Sequence, residues 1–432
     1  MNKKNVKPNL LTIKLLIVSV ILATLTGCGS NTASEETEVN VAKATSKIAF
    51  SWWGNDPRHL YTMEGVDLFM QQNQDINVEY KYGIWNGYET RNKVFMNSHT
   101  EPDVMQINFG WLSQYSPDGT GYYDLYQLKD YIDLSGYTEA DLSFGEMNGK
   151  LNALPIAYNS TVIYYNEDLY KKYGLPVPET WEDLFTCAEV MREDGIYQLG
   201  AVKKHVFLLL IAYYEQTMGK TVFAEDGTCQ LTQEDMVYIL NFYKKLIDEQ
   251  VLMPIDQFDR NMLSTGELAG SVFWISDISN YCSSIEAIGT PKLGNYLTTD
   301  SSEGLTGWYK KPATMYAISA STDNPEESAR LLDFLVNNRE MAILQGTEKG
   351  IPVSTKALMA VEEEGLLEGY SVDANNQMIA AGEALKVMLP VMEDEDLIEV
   401  FKAGADRYIY DKETVEDAAL GIIDEIKNIL DK

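Results

Sequence analysis

Two adjacent tryptophans stand at the end of the first predicted strand, a place where ligand-binding side chains are often found. Residues 48–52 form an apolar strand pattern, and Trp53 leads directly into a turn at residues 54–57. Neighbouring residues of a regular strand face opposite sides, so Trp52 and Trp53 cannot both enter the same core. We therefore expect at least one of the two rings to reach a cleft beyond the strand end.

The same mixture of aromatic rings with amides and acids recurs in several later segments. An indole face packs on the C–H face of a sugar ring, while Asn, Asp, Glu and Arg side chains pair with its hydroxyl groups. The pattern predicts a sugar cleft with these candidate residues: Trp52, Trp53, Asn55, Asp56, Arg58, Trp85, Tyr88, Glu89, Asn108, Trp111, Tyr158, Asn159, Trp274, Asp277 and Trp308. A single tryptophan is more often core than site, and Trp181 is assigned to the core because it begins a helix.

The sequence offers little for metal or nucleophilic chemistry. Its histidines, and its cysteines after residue 28, are His59, His99, His205, Cys187, Cys229 and Cys282. No CxxC pair occurs, although one disulfide among the three cysteines stays open. We expect no metal, no cofactor and no catalytic residue. An exported glycoside hydrolase stays open as an alternative, because acids are plentiful and that chemistry needs two carboxyl groups about 5 to 10 Å apart.

The elements that must position these residues alternate between strand and helix. Residues 48–52, 76–82 and 103–107 read as strands, with helical stripes between them. This alternation predicts an α/β fold with a parallel sheet, in which ligands gather beyond the carboxyl ends of the strands. Further helices are predicted at residues 233–249 and 325–337 and at the chain end, where an amphipathic stripe begins at Val415.

The first residues resemble an export signal. Residues 1–27 carry four lysines and no acid, then a short apolar run, and Leu-Thr-Gly precedes Cys28. The apolar run is shorter than the roughly 20 residues of a membrane span. The segment is similar to a bacterial lipobox, which implies cleavage before Cys28 and lipidation of that residue. Residues 28–46 have almost nothing to bury and are predicted to form a disordered tether.

The chain is strongly acidic, with a formal net charge of −31. Loss of the four leader lysines would bring the mature chain to −35. Such a charge repels nucleic acid and anionic lipid surfaces, so we expect no nucleic-acid partner. Solubility is the simplest role for this charge.

Several short segments, in a fixed order, resemble one family. They are residues 52–54, 102–104, 149–150 with 154–155, 165–169, 174–175 with 178–181, 266–270, 317–319 with 324–329, and 350–352. Together they cover nearly all of the mature chain. They are similar to the extracellular solute-binding lipoproteins of bacterial ABC importers, in the branch that includes maltose-binding and other oligosaccharide-binding proteins.

The resemblance implies a two-lobed, periplasmic-binding-protein-like α/β fold, each lobe a sheet flanked by helices, with the ligand cleft between the lobes. The predicted N-terminal lobe comprises residues 47–156 and 316–370, and the C-terminal lobe residues 157–315 and 371–432. The crossings are expected near residues 155–159 and 311–316, and between residues 355 and 374. Hinge closure would then sequester the ligand.

The resemblance also implies the partners. They are an oligosaccharide ligand, ABC permease subunits with a cytoplasmic ATPase, and the membrane through lipid at Cys28. The location would be the extracellular face of the bacterial cytoplasmic membrane, and we expect a monomer and no enzymatic activity. The acidic composition keeps a polyamine or other cationic solute open as an alternative ligand.

Overall fold

The structure is a computed structural model that describes residues 46–299 and 306–430. The predicted leader, Cys28 and all of the predicted tether except residue 46 lie outside these ranges. The strands of the described part are β1 (Ser46–Trp53), β2 (Ile76–Gly83), β3 (Val104–Ile107), β4 (Glu146–Met147), β5 (Lys150–Leu151), β6 (Ala153–Asn166), β7 (Gly270–Trp274), β8 (Pro291–Leu293), β9 (Tyr309–Ile318) and β10 (Lys386–Val387).

Helices separate most of these strands. They are α1 (Asp56–Gln72), α2 (Tyr88–Ser98), α3 (Trp111–Tyr115), α4 (Glu139–Ser143), α5 (Glu167–Tyr173), α6 (Trp181–Met191), α7 (Lys203–Met218), α8 (Gln233–Asp248), α9 (Met262–Thr265), α10 (Ile278–Glu286), α11 (Pro325–Asn337), α12 (Arg339–Gln345), α13 (Thr355–Glu363), α14 (Tyr370–Ala381), α15 (Glu395–Ile409) and α16 (Val415–Leu430). Short 3-10 helices lie at Leu125–Leu128, Leu134–Gly136, Arg192–Asp194, Ile275–Asp277, Gly382–Ala384 and Pro390–Glu393. No helix of the described ranges is both long and apolar enough to cross a membrane.

Local sequence signals explain where several helices begin. The Asn55 side chain accepts a hydrogen bond from the backbone N–H of Arg58 at 3.2 Å, which caps α1. The Thr180 hydroxyl and the Asp183 carboxylate form a reciprocal capping box at the start of α6. These caps satisfy backbone groups that a helix end leaves unpaired, and the first of them fixes α1 directly after the two tryptophans.

The main sheet is mixed, which corrects the expectation of a parallel sheet. Its strand order is β2-β1-β3-β9-β6-β7, with β10 beside β9 and β8 beside β6. Strand β1 runs parallel to β2 and β3, as predicted, but β9 runs antiparallel to β3 and β6. Strand β9 comes from a later, non-adjacent stretch of chain and is therefore outside the succession of strand and helix on which the expectation of a parallel sheet is based.

Two large apolar cores share the long strands β6 and β9. One core contains Phe50 of β1, Leu154 of β6 and Tyr316 of β9. The other contains Val162 of β6 and Tyr309 of β9, together with buried residues of α7, α8, α15 and α16. Each of the two strands therefore passes from one core to the other. They pair with each other along the way, with Pro155 opposite Met315 and Asn159 opposite Lys311.

Candidate functional site

A cleft of about 470 Å³ opens where the two cores meet, within the range of small-molecule sites. The ends of β1 and β3, the middle of β6, the segment after β7, and β9 all contribute to it. Its lining residues are Trp53, Gly54, Asn55, Arg58, Ile84, Trp85, Asn108, Asn159, Lys204, Trp274, Ser276, Asp277, Asn280, Lys311, Ala313, Thr314, Lys349 and Glu393. A neighbouring recess of about 710 Å³ shares Trp85, Trp274 and Asp277 with the cleft and adds Glu89 and Trp111.

One wall of the cleft is a cluster of aromatic rings. The ring centroid of Trp53 lies 5.1 Å from that of Trp85, 5.3 Å from that of Tyr88 and 5.7 Å from that of Trp111. Trp85 and Trp111 stack with nearly parallel planes, and the Trp111 indole N–H donates to Glu89 at 3.3 Å. Trp85 is 42 % exposed, while the other three rings are buried. The buried rings therefore support Trp85 as an apolar platform facing the cleft.

The facing wall is built around Trp274. The Lys311 ammonium lies 4.5 Å from the centroid of the Trp274 ring. The His205 ring packs edge-on against the Trp274 ring, with 4.9 Å between the two ring centroids. Burial lowers the pKa of His205 to about 3, so this imidazole is neutral at physiological pH. Trp274 is thus held in place by a cation and a neutral ring.

Amide side chains form part of the cleft lining. The Asn159 amide donates to the Ser276 hydroxyl at 3.1 Å and its carbonyl accepts from the Ser276 backbone N–H at 3.3 Å. The side-chain carbonyl of Asn108 accepts from the backbone N–H of Gly110 at 3.0 Å, which fixes the orientation of this amide in the lining that it shares with Trp85. The Thr314 hydroxyl also lines the cleft and has no hydrogen-bond partner among the described residues.

The structure does not bring every predicted residue to this site. Trp52 is fully buried: its ring stacks between Phe50 and Tyr82, and its indole N–H donates to His59 at 3.1 Å. The strand alternation that sends Trp53 to the cleft sends Trp52 to the opposite face of the sheet, into a core. The reading of Trp52 as a ligand platform therefore needs correction.

Four further candidates lie away from the cleft. Trp308 stacks on Trp181 in the second core, and Tyr88 is buried behind Trp53. The Tyr158 hydroxyl donates to Asp141. Asp56 is exposed in the first turn of α1, where an acid stabilises the helix start. None of these four is among the residues of the described ranges that line the cleft or its recess.

The charged lining of the cleft was missed by the sequence analysis. Lys204, Lys311, Lys349 and Glu393 come from four distant parts of the chain, so no local spacing connects them. Lys311 is the one with a detectable signal, because it is a buried lysine position within strand β9 at a predicted crossing. The others become neighbours only through the fold.

Glu393 forms ion pairs with two of these lysines. Its Oε2 atom lies 2.6 Å from the Lys311 Nζ and its Oε1 atom 3.4 Å from the Lys204 Nζ. Burial alone would raise the pKa of Glu393, but the two ammonium groups outweigh it and lower that pKa. Burial raises the pKa of Asp277, although the nearby charges of Arg58, Arg260 and Lys311 act to lower it.

Arg58 and Lys349 have a different environment. Arg58 Nη2 donates to the carbonyl oxygens of Ser276 at 3.1 Å and Glu348 at 2.7 Å, and its Nε has no partner among the described residues. The Lys349 ammonium donates to the Tyr316 hydroxyl at 2.7 Å. Burial, and then the nearby Arg58 charge, hold the pKa of Lys349 well below its ordinary value.

The described residues contain no group of three or more His, Cys, Asp or Glu side chains arranged to hold a metal ion. Cys187 and Cys282 are buried free thiols, and Cys229 is a half-buried one. The cleft thus combines an aromatic platform, oriented amide side chains, and more basic than acidic side chains.

A comparison with protein families matches residues 57–342 to the bacterial extracellular solute-binding proteins, well over half of the chain. The chain belongs to this family. The resemblance read from the sequence is thereby confirmed, and the members of the family are binding proteins rather than enzymes. The location outside the bacterial cytoplasm follows from the same membership.

Relatives of this solute-binding protein include a putative binding protein of Brucella abortus, 25 % identical over 335 residues, or 75 % of this chain and 78 % of the relative. The melibiose/raffinose/stachyose-binding protein MelE of Bacillus subtilis is 27 % identical over 41 % of this chain and 39 % of its own. A periplasmic oligogalacturonide-binding protein of Yersinia enterocolitica, solved with saturated digalacturonic acid, is 29 % identical. It covers 89 % of this chain and 99 % of its own, with a TM-score of 0.83. The predicted two-lobed α/β fold is confirmed by this likeness.

Proposed function

We propose that this solute-binding protein is the oligosaccharide-binding component of an ABC importer. The observation that carries the proposal is the exposed ring of Trp85, supported from behind by buried aromatics and flanked in the cleft by the amides of Asn108 and Asn159. A stacking face beside hydrogen-bonding edges is what a sugar ring requires. The names of relatives that bind oligosaccharides support the same reading.

The wider context is part of this proposal. Export through the signal at residues 1–27, lipidation at Cys28 and a tether up to the first strand would hold the protein at the extracellular face of the cytoplasmic membrane. There it would act as a monomer and present its sugar to permease subunits with a cytoplasmic ATPase. The lobe boundaries at residues 156/157, 315/316 and 370/371 belong to the same proposal, and the passage of β6 and β9 between the cores supports the first two.

The test is a titration of the soluble chain from Gly29 onward with neutral and acidic oligosaccharides, followed by tryptophan fluorescence and by calorimetry. We expect saturable binding of one glycan class. In Trp85→Ala the affinity should fall by about tenfold or more, because a central aromatic contact is lost. Tyr131→Ala, which removes an exposed ring outside the cleft, is the matched control. Equal affinity in the Trp85 variant and the wild type would contradict the stacking role.

The two alternatives give different results in the same titration. A glycoside hydrolase would convert the glycan, so product analysis of the mixture would reveal shortened chains. The cleft does hold two carboxyl groups, Asp277 and Glu393, but both Glu393 oxygens are engaged by lysines. A polyamine-binding protein would respond to spermidine and to no glycan, and the lysines and arginine in the lining oppose such a cation.

A further inference from the structure

The relatives do not agree on the charge of the sugar, since one is named for neutral galactosides and another for an acidic galacturonide. The charges of this cleft can decide the question for this chain. Its lining contains the cations Arg58, Lys204, Lys311 and Lys349 against the carboxyl groups of Asp277 and Glu393. Although the chain has a net charge of −31, basic side chains outnumber acidic ones in the lining of the proposed ligand site.

Not all of these cations are free to meet a ligand. Lys311 and Lys204 share the single carboxylate of Glu393, which compensates part of their charge. Among the described residues, Arg58 and Lys349 donate hydrogen bonds only to uncharged oxygen atoms: two backbone carbonyls and a tyrosine hydroxyl. The Lys349 ammonium also lies over the rings of Tyr61 and Tyr316. Within the described ranges, no carboxylate oxygen lies within 4 Å of a side-chain nitrogen of Arg58 or Lys349. Asp277 shares their cavity and lies near enough for the Arg58 charge to act on it, but none of its oxygens is within 4 Å of either cation.

Leaving two like charges together without an anion costs free energy. Lys349 is 2 % exposed and Arg58 is near enough to disfavour its protonation, while Arg58 Nε is buried with an unused N–H. Burying a cation in this way is favourable only when an opposite charge arrives. The guanidinium group and the ammonium group line the same cavity as Trp85, so a sugar stacked there can bring that charge with it.

We infer that the ligand is an anionic oligosaccharide whose charged group binds between Arg58 and Lys349. The inference rests on the proposed sugar-binding function and specifies its substrate class. The acid group is a uronate carboxylate or a phosphate ester, since a guanidinium and an ammonium group recognise both. The neutral parts of the ligand then lie on Trp85 and along the amides.

The first test uses the wild-type protein and needs no substitution. Calorimetric titrations compare digalacturonic acid with its dimethyl ester, which has the same ring shape and no charge, with raffinose, with glucose 1-phosphate and with spermidine. We expect an anionic sugar to bind, and removal of its charge to weaken binding by on the order of 10- to 100-fold. Whether digalacturonic acid or glucose 1-phosphate binds identifies the anion.

The second test is Lys349→Met, with Lys47→Met as the control, since the Lys47 side chain is 68 % exposed on the outer end of β1. Lys349→Met should lose affinity for the anionic sugar by a similar factor while Lys47→Met binds as the wild type does. Neutral glycans that bind as tightly as charged ones, or an unchanged affinity in Lys349→Met, would overturn the inference and leave the proposed function standing. Binding of spermidine and of no glycan would overturn both.

Discussion

At the scale of single residues, the two adjacent tryptophans lie in different environments. Trp53 lines the cleft and supports Trp85, whereas Trp52 stacks in a core on the other face of the sheet. The strand geometry alone predicts that the two rings separate, but it does not say which one enters the cleft. That choice depends on which face of the sheet α1 covers, a property of the assembled fold.

Lys349 gives a prediction about stability. Its pKa is lowered in the folded protein, so below the ordinary lysine pKa of about 10.4 the unfolded chain binds more protons and folding stability rises with pH. Lys349→Met should therefore be more stable than the wild type by about 1 to 2 kcal/mol at pH 7, and this gain should shrink as the pH approaches 10.

Denaturant unfolding at pH 7 and pH 10 measures this effect. Lys47→Met should change little at either pH, because its partner Glu79 and Lys47 itself are solvent-exposed. A destabilised Lys349→Met protein at pH 7 would mean that the Tyr316 contact contributes more than the buried charge costs. Stability and anion affinity are expected to change in opposite directions in this variant, because the same uncompensated charge determines both.

At the scale of elements, the start of α1 positions Arg58. Gly54 stands between Trp53 and the helix cap, and a Cβ atom there would lie 2.6 Å from the Cβ of Arg58. Gly54→Ala must therefore shift the first turn of α1, and we expect weaker glycan binding with only a modest loss of stability. Binding measured by calorimetry together with a thermal melt separates the two effects.

The control for this variant is Gly421→Ala in α16, where the nearest atom to an added Cβ is the flexible end of Arg407 at 3.4 Å. Alanine there should leave binding unchanged and stabilise the helix slightly. If Gly54→Ala binds glycan as the wild type does, the close approach of α1 to the cleft has no functional role.

The elements also show what a sequence can and cannot predict. The α/β alternation, the helices at residues 325–337 and 233–248 and the strand at residue 48 follow from apolar periodicity and caps, and the structure contains them. The antiparallel placement of β9 could not be derived, because strand pairing between residues 104 and 318 leaves no local trace. For the same reason the aromatic part of the site was visible in short segments, while Lys204, Lys349 and Glu393 were not.

At the scale of the whole molecule, Arg58 connects the two sides of the cleft. It extends from α1 and donates to the Ser276 carbonyl, which follows β7 on the opposite side. Hinge closure of the two lobes would form or break this hydrogen bond. We predict that Arg58→Ala shifts the ligand-free protein toward an open arrangement.

Spin labels at positions 93 and 396, exposed residues on opposite sides of the recess, report the separation by pulsed dipolar spectroscopy. The Arg58 variant should show a longer mean distance than the wild type before glycan is added. Arg330→Ala, which removes an ion pair with Asp75 on one outer face, serves as the control. Identical distance distributions in the Arg58 variant and the wild type would show that Arg58 does not hold the cleft closed.

The position of β9 has a consequence for how the chain is made. This strand lies between β3 and β6, so in a nascent chain that stops before residue 309 those two strands lack the partner that joins them. Unpaired edges of this kind invite association with other chains. The continuous sheet from β3 through β9 to β6 can therefore form only after about three quarters of the polypeptide has emerged, a delay that is compatible with the export we propose.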